Sequence, residues 1–451
     1  MSNQKVLVAG SGKSGIAAAR LMLQMGGDVV LYDGNDKLDA EELKEKFEEK
    51  DLERLTIVLG ELTRTDLLGV ELSVISPGIP LDAPFVPVLD EAKIPIWSEI
   101  QLAYHVAKGK LIAITGTNGK TTTTALMGEI MKAHFEEVYV VGNIGIPYTE
   151  TALETTDEAV TVAEVSSFPL ETIMDFRPDV SAILNITPDH LNRHGTMENY
   201  IDIKERICAN QTEDDWVVLN YDDPVLREFG EKEDLKPGVV FFSSTQELKD
   251  GLFLDQDEII LAKGGKRESV VNVHDLKLLG KHNYENVMAA VAMSLKMNVP
   301  LDTIRKVIKE FKAVEHRIEF VLERCGVKYY NDSKGTNPAI QAIRAMPGPT
   351  VLIAGGYDKQ SEYDEWIESF GDKVKYLVLI GQTRDKIAEC ARRHGFTEIM
   401  YAEDMPEAVR VCAAYANAGE NVLLSPACAS WGMFDNYEQR GEIFKECVRN
   451  L

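Results

Sequence analysis

The chain is poor in several features that mark particular classes of protein. Only six of its 451 residues are cysteines, and no two of them have the CxxC spacing of a structural zinc site. We therefore expect free thiols in a reducing compartment, as in a cytoplasmic protein. No apolar run approaches the roughly 20 residues of a membrane span, and no long apolar segment follows Met1. The sequence thus predicts no membrane association and no signal peptide.

Positive charge is also scarce. The 48 Lys and Arg residues are outnumbered by 73 Asp and Glu residues, which gives a net charge of -25. Because binding to nucleic-acid phosphates requires a basic face, we expect no nucleic-acid partner. Any anionic substrate therefore has to be bound by local cationic pockets.

The chain does contain the pattern of an α/β protein, in which short apolar runs alternate with longer helical ones. Its length corresponds to about three domains. We predict a first domain over residues 1–100, a larger central domain over residues 101–313 with a β-rich passage near its end, and a third over residues 314–451. The acid-rich segment Asp39–Arg54 is predicted to form one solvated helix.

The most informative motif is a glycine-rich loop between the apolar run Leu111–Ile114 and a helical pattern that starts at Ala125. Backbone N–H groups and the helix dipole hold phosphate oxygens in such loops, a lysine neutralises their charge and a threonine hydroxyl can bind Mg²⁺. Ile114 stands where a Walker A loop has its first glycine, so this loop is a shortened variant. It predicts ATP or GTP binding, against the alternative of a plain glycine turn. Its residues are Gly116, Thr117, Asn118, Gly119, Lys120, Thr121 and Thr122.

A second glycine-rich turn, Gly10–Gly15, lies between a strand pattern and a helix pattern near the N-terminus. Asp33 follows at the spacing of the dinucleotide-binding fingerprint, in which glycines admit a pyrophosphate and an acid binds a ribose hydroxyl. Alone, this turn predicts an NAD- or FAD-dependent oxidoreductase. Because an independent phosphate loop follows it, we favour a different diphosphate ligand, and NAD stays open as the alternative. The predicted binding residues are Ser14, Asp33, Ser76, Pro77 and Gly78.

In the central domain, polar side chains follow the apolar strand patterns at the edge where open α/β sheets bind ligands. Glu164 ends one such pattern, where a charge is costly unless it is paired or bound to a metal, and carboxylate oxygen suits Mg²⁺. His190 follows another strand, although a lone histidine is more often a satisfied polar residue than a ligand. From the residues alone, Lys204 is predicted to be a solvated helix lysine.

The third domain has polar loops after its strand patterns. One is Asn331–Asn337, and a second, Ser425–Ser430, lies near the end of the chain. Such loops bind anions and ribose hydroxyls, although Asp, Ser and Asn also simply cap helices. Neither Cys428 nor Ser430 has a nearby base that would indicate a catalytic triad.

Seven segments resemble those of the Mur ligase family, in order along nearly the whole chain: GTNGKTT, EVSSFPLE, NITPDHLNRHG, GKHNYENVMAA, HRIE, NDSKGTN and SPACASWGMFDNYEQRG. The NDSKGTN segment is similar to that of the D-glutamate-adding branch. The resemblance implies Rossmann-like N- and C-terminal domains around a central P-loop ATPase-like domain. It also implies an ATP-dependent, amide-forming ligase of peptidoglycan precursor synthesis, and so of cell-wall biogenesis, cell shape and cell division.

The implied reaction starts when ATP phosphorylates the alanyl carboxylate of UDP-N-acetylmuramoyl-L-alanine. The amine of D-glutamate then attacks the acyl phosphate, and phosphate leaves. Catalysis of this kind consists largely of positioning and charge neutralisation. The family is usually monomeric and cytoplasmic, which the resemblance implies for this chain as well.

The resemblance also implies roles for individual residues, with Lys120 in the phosphate loop and two Mg²⁺ ions. Thr121 and Glu164 would hold the Mg²⁺ of ATP, and His190 would serve the second ion together with Lys204, which is carbamylated in the family. Asn143 would contact the reacting substrate. The other implied nucleotide contacts are Asn286 to the base, and Arg317 and Asp332 to the phosphates and ribose.

The implied substrate residues of the third domain complete this set. Lys334 would lie near the phosphates on the substrate side. D-Glutamate would be bound by Thr336, Lys359, Ser430 and Tyr437. The chain departs from the family pattern at Lys13, Gly34 and Asn35 in the uridine diphosphate site, and at Tyr437, where a phenylalanine is usual. A folylpolyglutamate synthetase is the other candidate of related chemistry, but it has neither a UDP-binding domain of this kind nor the NDSKGTN segment.

Overall fold

The computed structural model describes residues 3–143, 145–335 and 340–451 of the chain, and three β-sheets carry the fold of these residues. The chain forms two compact units. The first unit comprises Met1–Val270 and Glu285–Ile308, and the second comprises Val271–Tyr284 and Lys309–Leu451. In the described part, no helix has both the length and the apolar character needed to cross a membrane.

The first unit opens with a five-stranded parallel sheet in the order β3-β2-β1-β4-β5. Its central strand is fully buried from Val6 to Ala9, as expected for an apolar run covered on both faces. The strand order reverses at this strand, which is where open α/β sheets form a ligand crevice. The elements are β1 (Lys5–Ala9), α1 (Lys13–Gln24), β2 (Asp28–Asp33), α2 (Ala40–Lys44), β3 (Leu55–Leu59), β4 (Leu72–Ile75), α3 (Val86–Ala92), β5 (Ile96–Ser98) and α4 (Glu99–Tyr104).

The prediction of one helix over Asp39–Arg54 is wrong. Helix α2 ends at Lys44, and a separate 3₁₀ helix covers Glu49–Arg54. Between them the Lys46 carbonyl accepts a hydrogen bond from Arg20 at 2.9 Å, and Phe47 packs against the core. Tertiary contacts therefore override the helical propensity of this acidic segment.

A nine-stranded sheet follows in the first unit, in the order β14-β13-β12-β11-β10-β9-β6-β8-β7. Strands β6 to β12 are parallel to their neighbours, and β13 is antiparallel to β12. The strands β11 to β14 confirm the predicted β-rich passage. The elements are β6 (Lys110–Thr115), α5 (Lys120–Lys132), β7 (Val138–Gly142), α6 (Tyr148–Thr151), β8 (Val160–Glu164), α7 (Ser167–Leu170), β9 (Val180–Ile183), α8 (Leu191–His194), α9 (Met197–Glu205), β10 (Trp216–Asn220), α10 (Pro224–Gly230), β11 (Gly238–Ser243), β12 (Gly251–Asp255), β13 (Glu258–Lys263), β14 (Lys266–Asn272), α11 (Lys281–Lys296) and α12 (Leu301–Glu310).

The second unit contains a six-stranded sheet in the order β15-β16-β20-β17-β18-β19. Its strands are parallel except for the antiparallel hairpin β15–β16 at one edge. Sequence patterns do not reveal β15, because this edge strand alternates irregularly between exposed and half-buried residues. The elements are β15 (Glu319–Arg324), β16 (Val327–Asn331), α13 (Ile340–Ala345), β17 (Thr350–Ala354), α14 (Asp364–Glu368), β18 (Val374–Leu379), α15 (Arg384–Arg393), β19 (Ile399–Tyr401), α16 (Met405–Tyr415), β20 (Asn421–Leu424) and α17 (Tyr437–Arg449).

These three parallel-rich sheets confirm the predicted three-domain α/β architecture. The crevices at β1 and β6 lie in the same unit. Each is entered by a glycine turn that leads into a helix, α1 or α5. The predicted bounds of the three domains stay a prediction.

Candidate nucleotide and substrate sites

The phosphate loop connects β6 to α5 and depends on glycine at two positions. Gly116 has φ +149° and Gly119 has φ +86°, a region that side chains strain. A Cβ at Gly119 would lie 2.3 Å from the amide oxygen of Asn286, so the loop also packs too closely there for a side chain. Asn286 therefore lies against the phosphate loop, and its predicted contact with the base stays a prediction.

Asn185, two residues beyond β9, braces this loop. Its side-chain oxygen accepts from the Asn118 N–H at 2.8 Å, and its side-chain nitrogen donates to the Asn118 carbonyl at 3.1 Å. The Thr117 N–H donates to the Asn185 carbonyl at 2.9 Å. The sequence prediction did not assign Asn185. Its one signal was its position at a strand end, which many unrelated polar residues share.

Lys120 begins α5 and lies over the loop. Its ammonium donates to the carbonyls of Gly116 at 2.8 Å and Thr117 at 2.9 Å. Thr121 and Thr122 follow in the first turn of α5, and both are buried. The helix start thus combines a positive dipole, a cation and two hydroxyls, which suits phosphate oxygens.

Lys204 is buried beneath the same loop, so the prediction of a solvated lysine from the residues alone is wrong. It is 1% exposed, and its ammonium donates to the Gly116 carbonyl at 2.9 Å. It also lies over the ring of Tyr200, one turn earlier on the buried face of α9, at 4.8 Å. Burial, and then the charge of Lys120, lower the pKa of Lys204 to about 7.

Glu164 ends β8 beside the phosphate loop and is 3% exposed. One carboxylate oxygen accepts from the Asn143 amide at 3.2 Å. The other has no hydrogen-bond partner in the described part of the chain. A buried carboxylate oxygen of this kind is costly unless a cation binds it, and Mg²⁺ prefers oxygen ligands. Glu164 therefore fits the predicted magnesium site.

His190 caps α8 in a left-handed conformation, with φ +52°. Its side chain is half exposed. The ring lies 5.0 Å from that of Phe168, and its Nε2 lies 3.5 Å from a carboxylate oxygen of Asp189. The predicted metal role of His190 stays a prediction.

The glycine turn after β1 opens into a cavity of about 610 Å³. This cavity brings together every residue that the sequence predicts to bind the diphosphate ligand, and Asn143 lines it as well. The residues from this prediction are Ser14, Asp33, Ser76, Pro77 and Gly78. Through Asn143 the cavity reaches the amide that bonds to Glu164.

Asp33 is tied to this turn. One of its carboxylate oxygens accepts from the Ser11 N–H at 2.9 Å and from the Ser11 hydroxyl at 2.6 Å. The other accepts from the Asn35 N–H at 3.0 Å. Although burial opposes it, these hydrogen bonds lower the pKa of Asp33, so its carboxylate is ionised at neutral pH.

In the second unit, Asp332 and Arg317 are close partners. Burial raises the pKa of Asp332 to about 6, while the Ser425 hydroxyl, which donates to it at 2.8 Å, and the charge of Arg317 act in the opposite direction. The Nε of Arg317 is buried and has no hydrogen-bond partner among the described residues. This pair offers an anion or ribose a cation and a carboxylate, and its ATP contacts stay a prediction.

The predicted amino-acid-binding residues fall into two aromatic clusters of the second unit. The ammonium of Lys334 lies 5.4 Å from the ring centre of Tyr437, and that of Lys359 lies 5.1 Å from the ring centre of Trp431. Ser430 is buried beside Trp431 in sequence. Thr336 lies outside the described residues.

Arg440 organises the loops around these residues, and the sequence prediction did not assign it. It is fully buried, and its guanidinium donates to the hydroxyl of Ser333 at 3.0 Å and its carbonyl at 2.7 Å. A further bond of 3.1 Å reaches the Cys428 carbonyl. Burial lowers the pKa of Arg440 to about 10. Its position three residues into α17 reads in sequence like an ordinary helix arginine, so the pattern could not reveal it.

The first unit thus defines the class of protein. It is an α/β nucleotide-binding protein with a lysine-bearing phosphate loop, a buried carboxylate suited to Mg²⁺ and a separate cavity suited to a diphosphate ligand.

Comparison with family models identifies the family. Residues 4–98 match the Mur ligase MurD-like N-terminal domain, residues 114–294 the Mur ligase middle domain, and residues 316–428 the Mur ligase, glutamate ligase domain. The chain belongs to the Mur ligase family.

Full-length relatives carry one name. The UDP-N-acetylmuramoylalanine--D-glutamate ligase of Lachnospira eligens is 54% identical over the whole of both chains. The protein of the same name from Clostridioides difficile is 44% identical over 100% of this chain and 99% of its own.

Solved structures share the fold at low sequence identity. The UDP-N-acetylmuramate-alanine ligase MurC of Thermotoga maritima is 19% identical with a TM-score of 0.61, over 99% of both chains. MurF of Acinetobacter baumannii is 17% identical with a TM-score of 0.62, over 99% of this chain and 93% of its own.

Proposed function

We propose that the chain joins D-glutamate to the alanyl carboxylate of UDP-N-acetylmuramoyl-L-alanine at the expense of ATP, as a cytoplasmic monomer. The observation that carries this proposal is the cavity lined both by the Gly10–Ser14 turn and by Asn143, whose amide bonds to Glu164 beside the phosphate loop. One ligand in this cavity can therefore present its diphosphate to the turn and its acyl end to the nucleotide site. The full-length relatives' name supports the same substrates.

The first step is phosphoryl transfer. The phosphate loop and the start of α5 bind the phosphates of ATP, and Lys120 moves from its carbonyl partners to a phosphate oxygen. A carboxylate oxygen of the alanyl group attacks the γ-phosphorus, and the bond from this phosphorus to the ADP oxygen breaks. The product is an acyl phosphate, whose phosphate is a good leaving group. Positioning and charge neutralisation supply most of the catalysis.

The second step forms the amide. The amine of D-glutamate attacks the acyl carbon, the carbon–oxygen bond to phosphate breaks, and the amine releases its proton to solvent. Lys334 and Lys359 are proposed to bind the carboxylates of D-glutamate, because both ammonium groups lie over aromatic rings that fix their direction.

Thr121 and Glu164 are proposed to hold Mg²⁺, which when bound neutralises charge on the transferred phosphate. The free oxygen of Glu164 supports this assignment. As an amine, Lys204 does not ligate Mg²⁺ well. Its pKa of about 7 leaves much of it uncharged at neutral pH, so its nitrogen can attack CO₂, lose a proton and become a carbamate with oxygen donors. A carbamate would also replace the repulsion from Lys120 with attraction.

The test is phosphate release from ATP in the presence of UDP-N-acetylmuramoyl-L-alanine and one amino acid at a time. We expect release with D-glutamate and none with L-glutamate. Release with L-glutamate but not D-glutamate would contradict the proposal, and the same result with a folate in place of the UDP-sugar would favour a folylpolyglutamate synthetase. An absorbance change on adding a nicotinamide cofactor and a reductant would favour the oxidoreductase alternative.

A further inference from the structure

Arg193 connects two loops of the first unit that the proposed reaction uses. Its guanidinium donates to the carbonyls of Pro77 at 2.8 Å and Ile79 at 3.1 Å. These carbonyls belong to the turn after β4, which lines the diphosphate cavity. Arg193 itself lies on α8, three residues after His190. One side chain therefore joins the substrate cavity to the loop at the proposed metal end.

The arginine is held in place by its own partners. Glu171 accepts from it with both oxygens, at 3.1 Å and 2.6 Å. The guanidinium also lies over the ring of Phe168 at 4.1 Å. The side chains of Arg193 and Glu171 are 13% and 10% exposed, so water screens this pair weakly. A bidentate, stacked and mostly buried guanidinium is a rigid group, which a lysine could not replace.

We infer that Arg193 is a positioning residue, which fixes the distance between the diphosphate-binding turn Ser76–Ile79 and the loop that carries His190. The inference rests on the proposed function. A substrate that spans both loops reacts only when its acyl end lies at the correct place while its diphosphate is bound, and small misplacements are costly in rate. A bridge that merely stabilised the fold would not discriminate between the two substrates.

The experiment compares Arg193→Gln with Arg206→Gln. Arg206 is an exposed arginine that donates to the Glu171 carbonyl at 3.0 Å, so it is a matched control for charge and for the same neighbourhood. For Arg193→Gln we expect the KM for UDP-N-acetylmuramoyl-L-alanine to rise about tenfold or more, with the KM for ATP within about twofold of wild type. Arg206→Gln is expected to keep both values.

A second variant separates positioning from damage to the fold. Arg193→Gln leaves the carboxylate of Glu171 buried without its arginine, so the double variant Arg193→Gln with Glu171→Gln removes both charges. We expect this variant to melt close to wild type and still to show the selective rise in KM. Equal rises in both KM values, or a wild-type KM for the UDP-sugar, would overturn the inference. If the wild-type protein released no phosphate, the proposed function would fail instead.

Discussion

Strands β1 and β6 both run into glycine turns at the switch points of their sheets, yet the two turns differ in their polar groups. The turn after β6 carries Lys120 and lies over the buried Lys204, beside the unpaired oxygen of Glu164. At the turn after β1, the carboxylate of Asp33 is already satisfied by Ser11 and Asn35.

The difference teaches how one local design serves two phosphorylated ligands. Reactive charge is concentrated at the phosphate loop, where a phosphoryl group is transferred in the proposed reaction. The turn after β1 offers a preformed cavity with its polar groups already paired, which suits a diphosphate that binds without reacting. Four changes would break or sharpen this comparison.

The largest effect is expected for Lys120→Met. The phosphate loop would lose its cation at the site of transfer, so kcat should fall by about a hundredfold to a thousandfold or more. Steady-state phosphate release measures it. Lys132→Met, at the exposed far end of the same helix, is the control and should stay near wild type. Near-wild-type turnover of Lys120→Met would refute the role of this loop.

A pH-dependent stability is expected from Lys204. Its folded pKa is lowered to about 7, mainly by burial, whereas an unfolded lysine keeps its proton to about pH 10.4. Above pH 7 the unfolded chain therefore binds more protons than the folded one, and stability should rise with pH. Relative to Lys204→Met, the free energy of unfolding of wild type should increase by up to about 1.4 kcal/mol per pH unit between about pH 7.5 and 9.5. Denaturant titrations in CO₂-free buffer measure this difference, and a flat difference would contradict the burial of an uncharged Lys204.

Gly119→Ala should destabilise the protein by about 2 kcal/mol. The position has φ +86°, and the new Cβ would press on Asn286 at 2.3 Å. The midpoint of chemical denaturation measures this loss. A stability equal to that of wild type would show that the loop relaxes freely, so its glycine would not be required by the fold.

Gly12→Ala is the counterpart in the other turn and should have the smallest effect on folding. Gly12 has φ -73°, and a Cβ there would meet no atom within 4 Å. The free energy of unfolding should stay within about 0.5 kcal/mol of wild type. A loss comparable to that of Gly119→Ala would mean that packing, and not a ligand, accounts for this glycine.

The sequence predicted those features that depend on local pattern. Both glycine turns, the strands on either side of them and the α/β architecture follow from apolar periodicity and from the spacing of Gly10–Gly15 and Gly116–Thr122. The diphosphate residues also gather in one cavity as predicted, because the ends of parallel strands meet at one edge of a sheet.

The sequence could not predict features that depend on packing between distant segments. Lys204 reads as a solvated lysine, since only the tertiary fold shows that α9 turns it towards Gly116. Arg193 and Arg440 likewise look like surface arginines, but their partners lie more than 100 residues away in the chain. The helix expected over Asp39–Arg54 fails for the same reason, because Arg20 takes the Lys46 carbonyl out of the helical pattern.

The central claim is that the two turns bind different phosphorylated ligands, and calorimetric titration of UDP into Gly12→Ala and Lys120→Met tests it most directly. The account predicts that UDP affinity falls about tenfold in Gly12→Ala, because the added methyl group occupies the cavity, and stays within about twofold of wild type in Lys120→Met. Normal UDP binding by Gly12→Ala together with weakened binding by Lys120→Met would contradict it.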